Sequence, residues 1–111
     1  MTSARRLVLI RHAKAARPSG VDDHDRPLDP RGRRDAPALG RWLAAEVGGI
    51  DLVLSSSAER TRETWALAAT EVPGEPAVEV AQRLYLASPG RVLEAVRGVD
   101  PGVGTLAVVG P

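Results

Sequence analysis

At 111 residues and 11.7 kDa the chain has room for one domain, here taken as residues 1–111, since single domains most often run about 100 to 150 residues. With 43% hydrophobic, 26% charged and only 3% aromatic residues it reads as a globular protein whose core is built from Leu, Val, Ile and Ala. Fifteen basic side chains, fourteen of them Arg, against fourteen acidic ones leave a net charge of +1, too little to attract nucleic acid or a membrane by charge alone.

The run Leu7 to Ile10 is continuously apolar and closed by Arg11, the pattern of a strand buried on both faces of a parallel sheet. A polar stretch from Lys14 to Pro30 shows no periodicity. Its length marks it as functional or mobile. Asp29 followed by Pro30 predicts a helix start, with Asp as cap and Pro at the first position. Leu39, Leu43 and Val47 continue that helix to the stop at Gly48-Gly49. Pro37 predicts a kink, or a restart with Asp35 as cap, because the Arg33 carbonyl loses its partner. Asp51 to Leu54 is the second strand. Ser56 and Glu59 have capping-box spacing ahead of a helix to about Thr70. Ala77 to Val80 reads as a third strand, Arg91 to Arg97 as a short helix, and Thr105 to Val109 as a fourth strand. Strand alternating with helix predicts an α/β three-layer sandwich on a mainly parallel sheet.

The chain contains no Cys, which excludes disulfides and every nucleophile acting through sulfur. No apolar run reaches the roughly 20 residues of a membrane span, and Leu7 to Ile10 is too short for a signal-peptide core, so the expected compartment is the cytoplasm. Open parallel sheets bind ligands beyond the carboxyl ends of their strands. That draws attention to Arg11-His12-Ala13, to Ser55-Ser56-Ser57 with Arg60 behind them, and to Gly110-Pro111. Arg11 and His12 can address one ligand only if the strand ends between them, because successive strand residues face opposite sides. Taken singly, Arg11 is a strand-end surface charge, His12 a satisfied loop histidine, and Arg60 a rung of an ion-pair ladder with Glu59 and Glu63. Taken together, two guanidiniums, an imidazole and a helix N-terminus describe a pocket for a tetrahedral dianion, a phosphoryl group above all.

Three blocks carry a family resemblance: Leu7-Val8-Leu9-Ile10-Arg11-His12-Ala13; Arg26-Pro27-Leu28 leading into Arg31-Gly32-Arg33-Arg34; and Leu54-Ser55-Ser56-Ser57-Ala58-Glu59-Arg60-Thr61-Arg62-Glu63-Thr64. In order and spacing they resemble the phosphohistidine phosphatase branch of the histidine phosphatase, or phosphoglycerate mutase-like, superfamily. The resemblance implies that His12 is a nucleophile that is transiently phosphorylated, that Arg11 and Arg60 hold the phosphoryl oxygens, and that no metal or other cofactor takes part. A neutral imidazole is a competent nucleophile, and the two arginines lower its pKa by repulsion, so the rate is expected to fall in acid.

Departures from the family pattern narrow the substrate. Ala13, Lys14 and Pro18 stand where the sugar-phosphate mutase branch has Gly, Glu and Asn. Ala81 to Arg91 holds no carboxylate to protonate a leaving group, which favours phosphohistidine or an aryl phosphate. The family's fourth strand ends in Gly-His, whereas Gly110 is followed here by Pro111. The chain is therefore expected either to lack the family's C-terminal portion or to be a variant with impaired turnover. The expected function is hydrolysis of phosphohistidine on a protein partner. The alternatives are a small phosphomonoester as substrate, or phosphate binding with impaired turnover.

Two further readings compete at the level of sequence. Asp22-Asp23-His24-Asp25 could bind a divalent cation or be a solvated acidic loop, and with no second His at ligand spacing the loop is expected. Arg31, Arg33 and Arg34 could touch nucleic-acid phosphates, but the chain offers no aromatic platform for bases, so no nucleic-acid partner is expected. Lys14 and Arg17 are read as solvated charges.

Overall fold

The computed structural model describes residues 5–110. In chain order these form β1 (Arg6–Arg11), a 3-10 turn (Asp23–Asp25), α1 (Pro30–Glu46), β2 (Leu52–Ser56), α2 (Glu59–Ala69), β3 (Ala77–Ala81), a second 3-10 turn (Gln82–Leu84), α3 (Pro89–Arg97) and β4 (Thr105–Gly110). The four strands make one parallel sheet in the order β1-β4-β2-β3. Helices lie on both of its faces, giving the three-layer α/β architecture.

On one face Leu43 of α1 and Trp65 and Ala68 of α2 close over Ile10, Val53, Ala107 and Val109. On the other, Ala95 of α3 and Leu84 close over Leu54, Leu106 and Val108. Burial of each such Leu or Val contributes about 1.5–3 kcal/mol relative to exposure. The helices α1 and α2 touch backbone to backbone, because Gly40 of α1 sits against the Ala68 carbonyl where a Cβ would overlap it.

The central strand is β4, every residue of which is buried. The sequence expectation for Leu7 to Ile10 is corrected here: β1 is an edge strand buried on one face. Val8 and Ile10 join the core under α1 and α2, whereas Leu7 and Leu9 are 44% and 67% exposed. The physical reason is lateral placement. The apolar face of α3 packs over β2 and β4, leaving an apolar hollow of 660 Å³ between β1 and α3, lined in part by Leu7, Leu9, Val92 and Leu93.

Helix α1 begins as predicted, with the Asp29 side chain accepting a hydrogen bond from the Gly32 amide at 2.7 Å and Pro30 at the first position. It runs without a break through Pro37 to Glu46. The expected restart at Asp35 does not occur; Asp35 instead sits 3.8 Å from Arg31 on the helix surface. Pro37 lies well inside the helix, so its missing N–H removes one hydrogen bond, and packing of the flanking Ala36 and Gly40 holds the turns together. The predicted capping box before α2 is also absent. Its N-cap is Ala58, and Ser56 Oγ accepts from the Ala58 amide at 3.2 Å. Helix α3 starts two residues earlier than expected, at Pro89, with Ser88 as cap. Among the described residues no helix is long and apolar enough to cross a membrane.

Candidate active site

Strand β1 ends at Arg11, and Arg11 and His12 both line one hollow, the condition under which both can address one ligand. The His12 amide extends the ladder by donating to the Gly110 carbonyl of β4 at 3.0 Å. Pro111 lies outside the described residues. One residue on, the Ala13 amide donates to Thr64 Oγ1 at 3.0 Å, and that buried hydroxyl donates in turn to the Arg60 carbonyl at 2.6 Å. A single hydroxyl thus fastens the exit of β1 to the first turns of α2.

His12 is half-buried and lines a hollow of 370 Å³ together with Arg11, Ala13, Lys14, Ala15, Arg17 and Arg26. Its Nδ1 lies 2.6 Å from the Ala13 carbonyl. A carbonyl can only accept, so Nδ1 carries the proton and the neutral ring presents its lone pair at Nε2. The ring's pKa lies below 6.5. Burial is the largest cause, and repulsion by Arg60, Arg11 and Arg26 adds to it against the opposing Ala13 hydrogen bond. Sequence reasoning named the arginine repulsion; burial, the larger cause, enters because the ring is partly withdrawn from water.

Arg60 is the second residue of α2, and its side chain is 6% exposed. Its Nη1 donates to the Asp23 carbonyl at 2.8 Å, its Nη2 to Asp23 Oδ2 at 3.2 Å, and its guanidinium lies 5.9 Å over the Tyr85 ring. These contacts use two of its five N–H donors, and Arg60 is not among the residues that line the His12 hollow. The carboxylate of Asp23 also accepts from the Tyr85 hydroxyl at 2.5 Å and from Arg26 Nη1 at 2.9 Å. The Tyr85 hydroxyl first, then Arg26 and Arg60, hold its pKa far below the usual carboxylate range, while the hydrogen bond to Asp23 raises that of Tyr85. His24 is pinned too, with Nε2 at 2.9 Å from Ser57 Oγ and its ring edge-on to Tyr85 at 4.8 Å.

The aspartates of the Asp22 to Asp25 loop are exposed, as expected of a solvated acidic loop, but one of them is also committed to the arginines. Asp23 serves as counter-ion to Arg26 and Arg60, and among the described residues no three His, Asp or Glu side chains converge on a point where a metal could sit. The ladder of Arg60 with Glu59 and Glu63 is absent as well. Glu59 pairs with Arg62 at 2.8 Å, and Glu63 with Arg33 at 3.0 Å. Sequence reasoning placed Arg11, His12 and Arg60 at the strand ends but missed Asp23, Tyr85 and the linking role of Thr64. One signal was present: Thr64 stands four residues after Arg60, the helical spacing that brings a hydroxyl onto a carbonyl.

A parallel sheet with helices on both faces and a histidine among arginines at its strand ends defines an α/β protein with a cationic hollow at the carboxyl edge of the sheet. Residues 7–85 match the family model of the histidine phosphatase superfamily (branch 1), and the chain belongs to that superfamily. An uncharacterized protein of Mycobacterium tuberculosis is 48% identical over 101 residues, covering 91% of this chain and 61% of the relative. A protein of Nakamurella multipartitia provisionally assigned as the phosphohistidine phosphatase SixA has a structure superposing with a TM-score of 0.87 at 40% identity, covering 98% of this chain and 60% of that one. Another with the same provisional assignment, from Agrobacterium tumefaciens, gives 0.87 at 29% identity over 96% of this chain and 68% of that one. The chain spans about three-fifths of the length of the mycobacterial relative.

Proposed function

We propose that the chain carries the nucleophile and phosphoryl-binding residues of a phosphohistidine phosphatase. One observation carries the reading: Nδ1 of His12 is occupied by the Ala13 carbonyl, so the lone pair is on Nε2 of a ring set in a hollow of cations. In the proposed reaction Nε2 attacks phosphorus in line and the new N–P bond replaces the bond to the leaving imidazole, which takes up a proton from solvent. Water then displaces His12 from phosphorus and releases inorganic phosphate. Arg11 and Arg60 hold the equatorial oxygens and neutralise charge that builds up in the transition state, and no metal or other cofactor is required.

Phosphohistidine is favoured over an alkyl phosphomonoester by the absence of a free acid. Residues 81–91 hold no carboxylate, and Tyr85, the acid nearest in kind, directs its proton to Asp23. The SixA likeness at 40% and 29% identity supports the same choice. The test is to quench the protein on a small phosphodonor such as phosphoramidate and locate the label. An acid-labile, alkali-stable phosphate on His12, absent from His12→Ala, is expected; label that persists in His12→Ala rules the nucleophile out.

A further inference from the structure

We infer that the site takes a substrate bearing a second anionic group beside its phosphoryl group, received by Lys14 and Arg17. The inference rests on the reading of His12 and its arginines as the phosphoryl site. Arg11 and Arg60 provide enough donors for the three equatorial oxygens of one phosphoryl group. The hollow that His12 lines also contains Lys14, Arg17 and Arg26, and no carboxylate lines it. In a chain of net charge +1 this is a local excess of positive charge, held together against its own repulsion. Arg26 is partly committed, its Nε donating to the Ala16 carbonyl at 2.8 Å and its Nη1 to Asp23. The Lys14 and Arg17 side chains have no hydrogen-bond or ion-pair partner among the described residues.

Those two cations are carried on a fixed backbone. The Lys14 carbonyl accepts from the Asp29 amide at 2.9 Å, the Ala16 amide donates to the Pro27 carbonyl at 2.8 Å, and Ala15 pairs with Leu28 in an antiparallel bridge. Leu28 is itself anchored, with its side chain buried and its amide donating to Glu63 Oε1 at 2.8 Å. From the other side Gly32 of α1 presses on the Lys14 carbonyl so closely that a Cβ there would overlap it. Segment 14–17 is thus clamped between residues 27–29 and the first turn of α1, so the backbone that carries the two cations is set in place before any ligand arrives. The second anion is a carboxylate or phosphate, supplied either by an acidic side chain next to a phosphohistidine or by a small phosphoester with two anionic groups.

The test compares binding of inorganic phosphate and of methylenediphosphonate, a two-headed oxyanion, by calorimetry on the full chain and on Lys14→Ala/Arg17→Ala. Both residues are exposed, and a matching unfolding curve shows that the variant folds. The diphosphonate is expected to bind the unsubstituted protein about tenfold more tightly than phosphate, and the double variant by no more than about twofold. An equal ratio in the two proteins, or no preference in the first, overturns the inference. Because binding is read without turnover, loss of the His12 label would remove the proposed function and leave this ratio standing. Phosphohistidine peptides with Glu or Ala beside the phosphorylated residue then assign the source. A Glu preference lost in the double variant assigns it to a protein, and no preference to a small ester.

Discussion

Thr64 and His12 show how much of the site depends on atoms that carry no charge. The Thr64 hydroxyl takes the Ala13 amide and gives its proton to the Arg60 carbonyl, so one side chain sets the spacing between the strand end and the helix start. Thr64→Val keeps the shape and deletes both bonds, leaving a partly buried amide unpaired at about 1 kcal/mol. Turnover is expected to fall about tenfold or more, since small misplacements of reacting groups are magnified in rate, while Thr64→Ser retains most of it. Steady-state kinetics with an unfolding curve for each variant checks this. His12 sets the acid limb. Its folded pKa lies below 6.5, so the rate is expected to hold as pH falls past 6.5 and to drop only through that lower value. Stability follows the same sign: the unfolded chain takes the proton first, so the contribution of His12 is full above pH 6.5 and is lost as pH falls through the folded value. A pH–rate profile midpoint above 6.5 would contradict the buried ring. At this scale the placement of Arg11 and His12 at the end of β1 and of Arg60 in the first turn of α2 was legible, because the apolar run closes at Arg11 and Arg60 follows the second strand closely. Asp23 and Tyr85 were not, because 62 residues separate them and no local pattern records their meeting.

Elements were legible where local chemistry decides them. The Asp29-Pro30 start and the end of α1 before Gly48, which takes φ of +79°, follow from capping and from glycine's freedom in the left-handed region. They were misread where tertiary packing overrides local preference. Pro37 argues against one helix, yet α1 continues past it because the same helix buries Ala36, Gly40 and Leu43. Ser56 has the spacing of a cap but ends β2 instead, its hydroxyl turned to the Ala58 amide. The α1–α2 contact offers an element-scale test. Gly40→Ala drives a methyl into the Ala68 carbonyl, which is backbone and can yield only by separating the helices. The expected loss is about 1–3 kcal/mol, seen as a lower denaturation midpoint with an unchanged slope. A neutral result would mean the two helices are free to slide apart.

For the molecule as a whole, the sheet order decides which surfaces are sticky and which parts depend on one another. The edge strand β1 presents Leu7 and Leu9 beside an apolar hollow, a combination that favours association between chains at high concentration. Leu9→Lys is expected to lower light scattering in concentrated solution while shifting stability by no more than about 0.5 kcal/mol, as is usual for exposed positions. Unchanged scattering would acquit the edge. The fold class was legible from the alternation of strands and helices, but strand order was not, since periodicity carries no information about neighbours. That order has a consequence for biosynthesis. Among the described residues, the strand that leads to His12 pairs with β4 alone, and its first register partner, Thr105 to Arg6, is 99 positions away. A growing chain therefore exposes the end of β1 early yet cannot seat it in the sheet until β4 has left the ribosome, so the two halves of this strand pair wait for one another during synthesis.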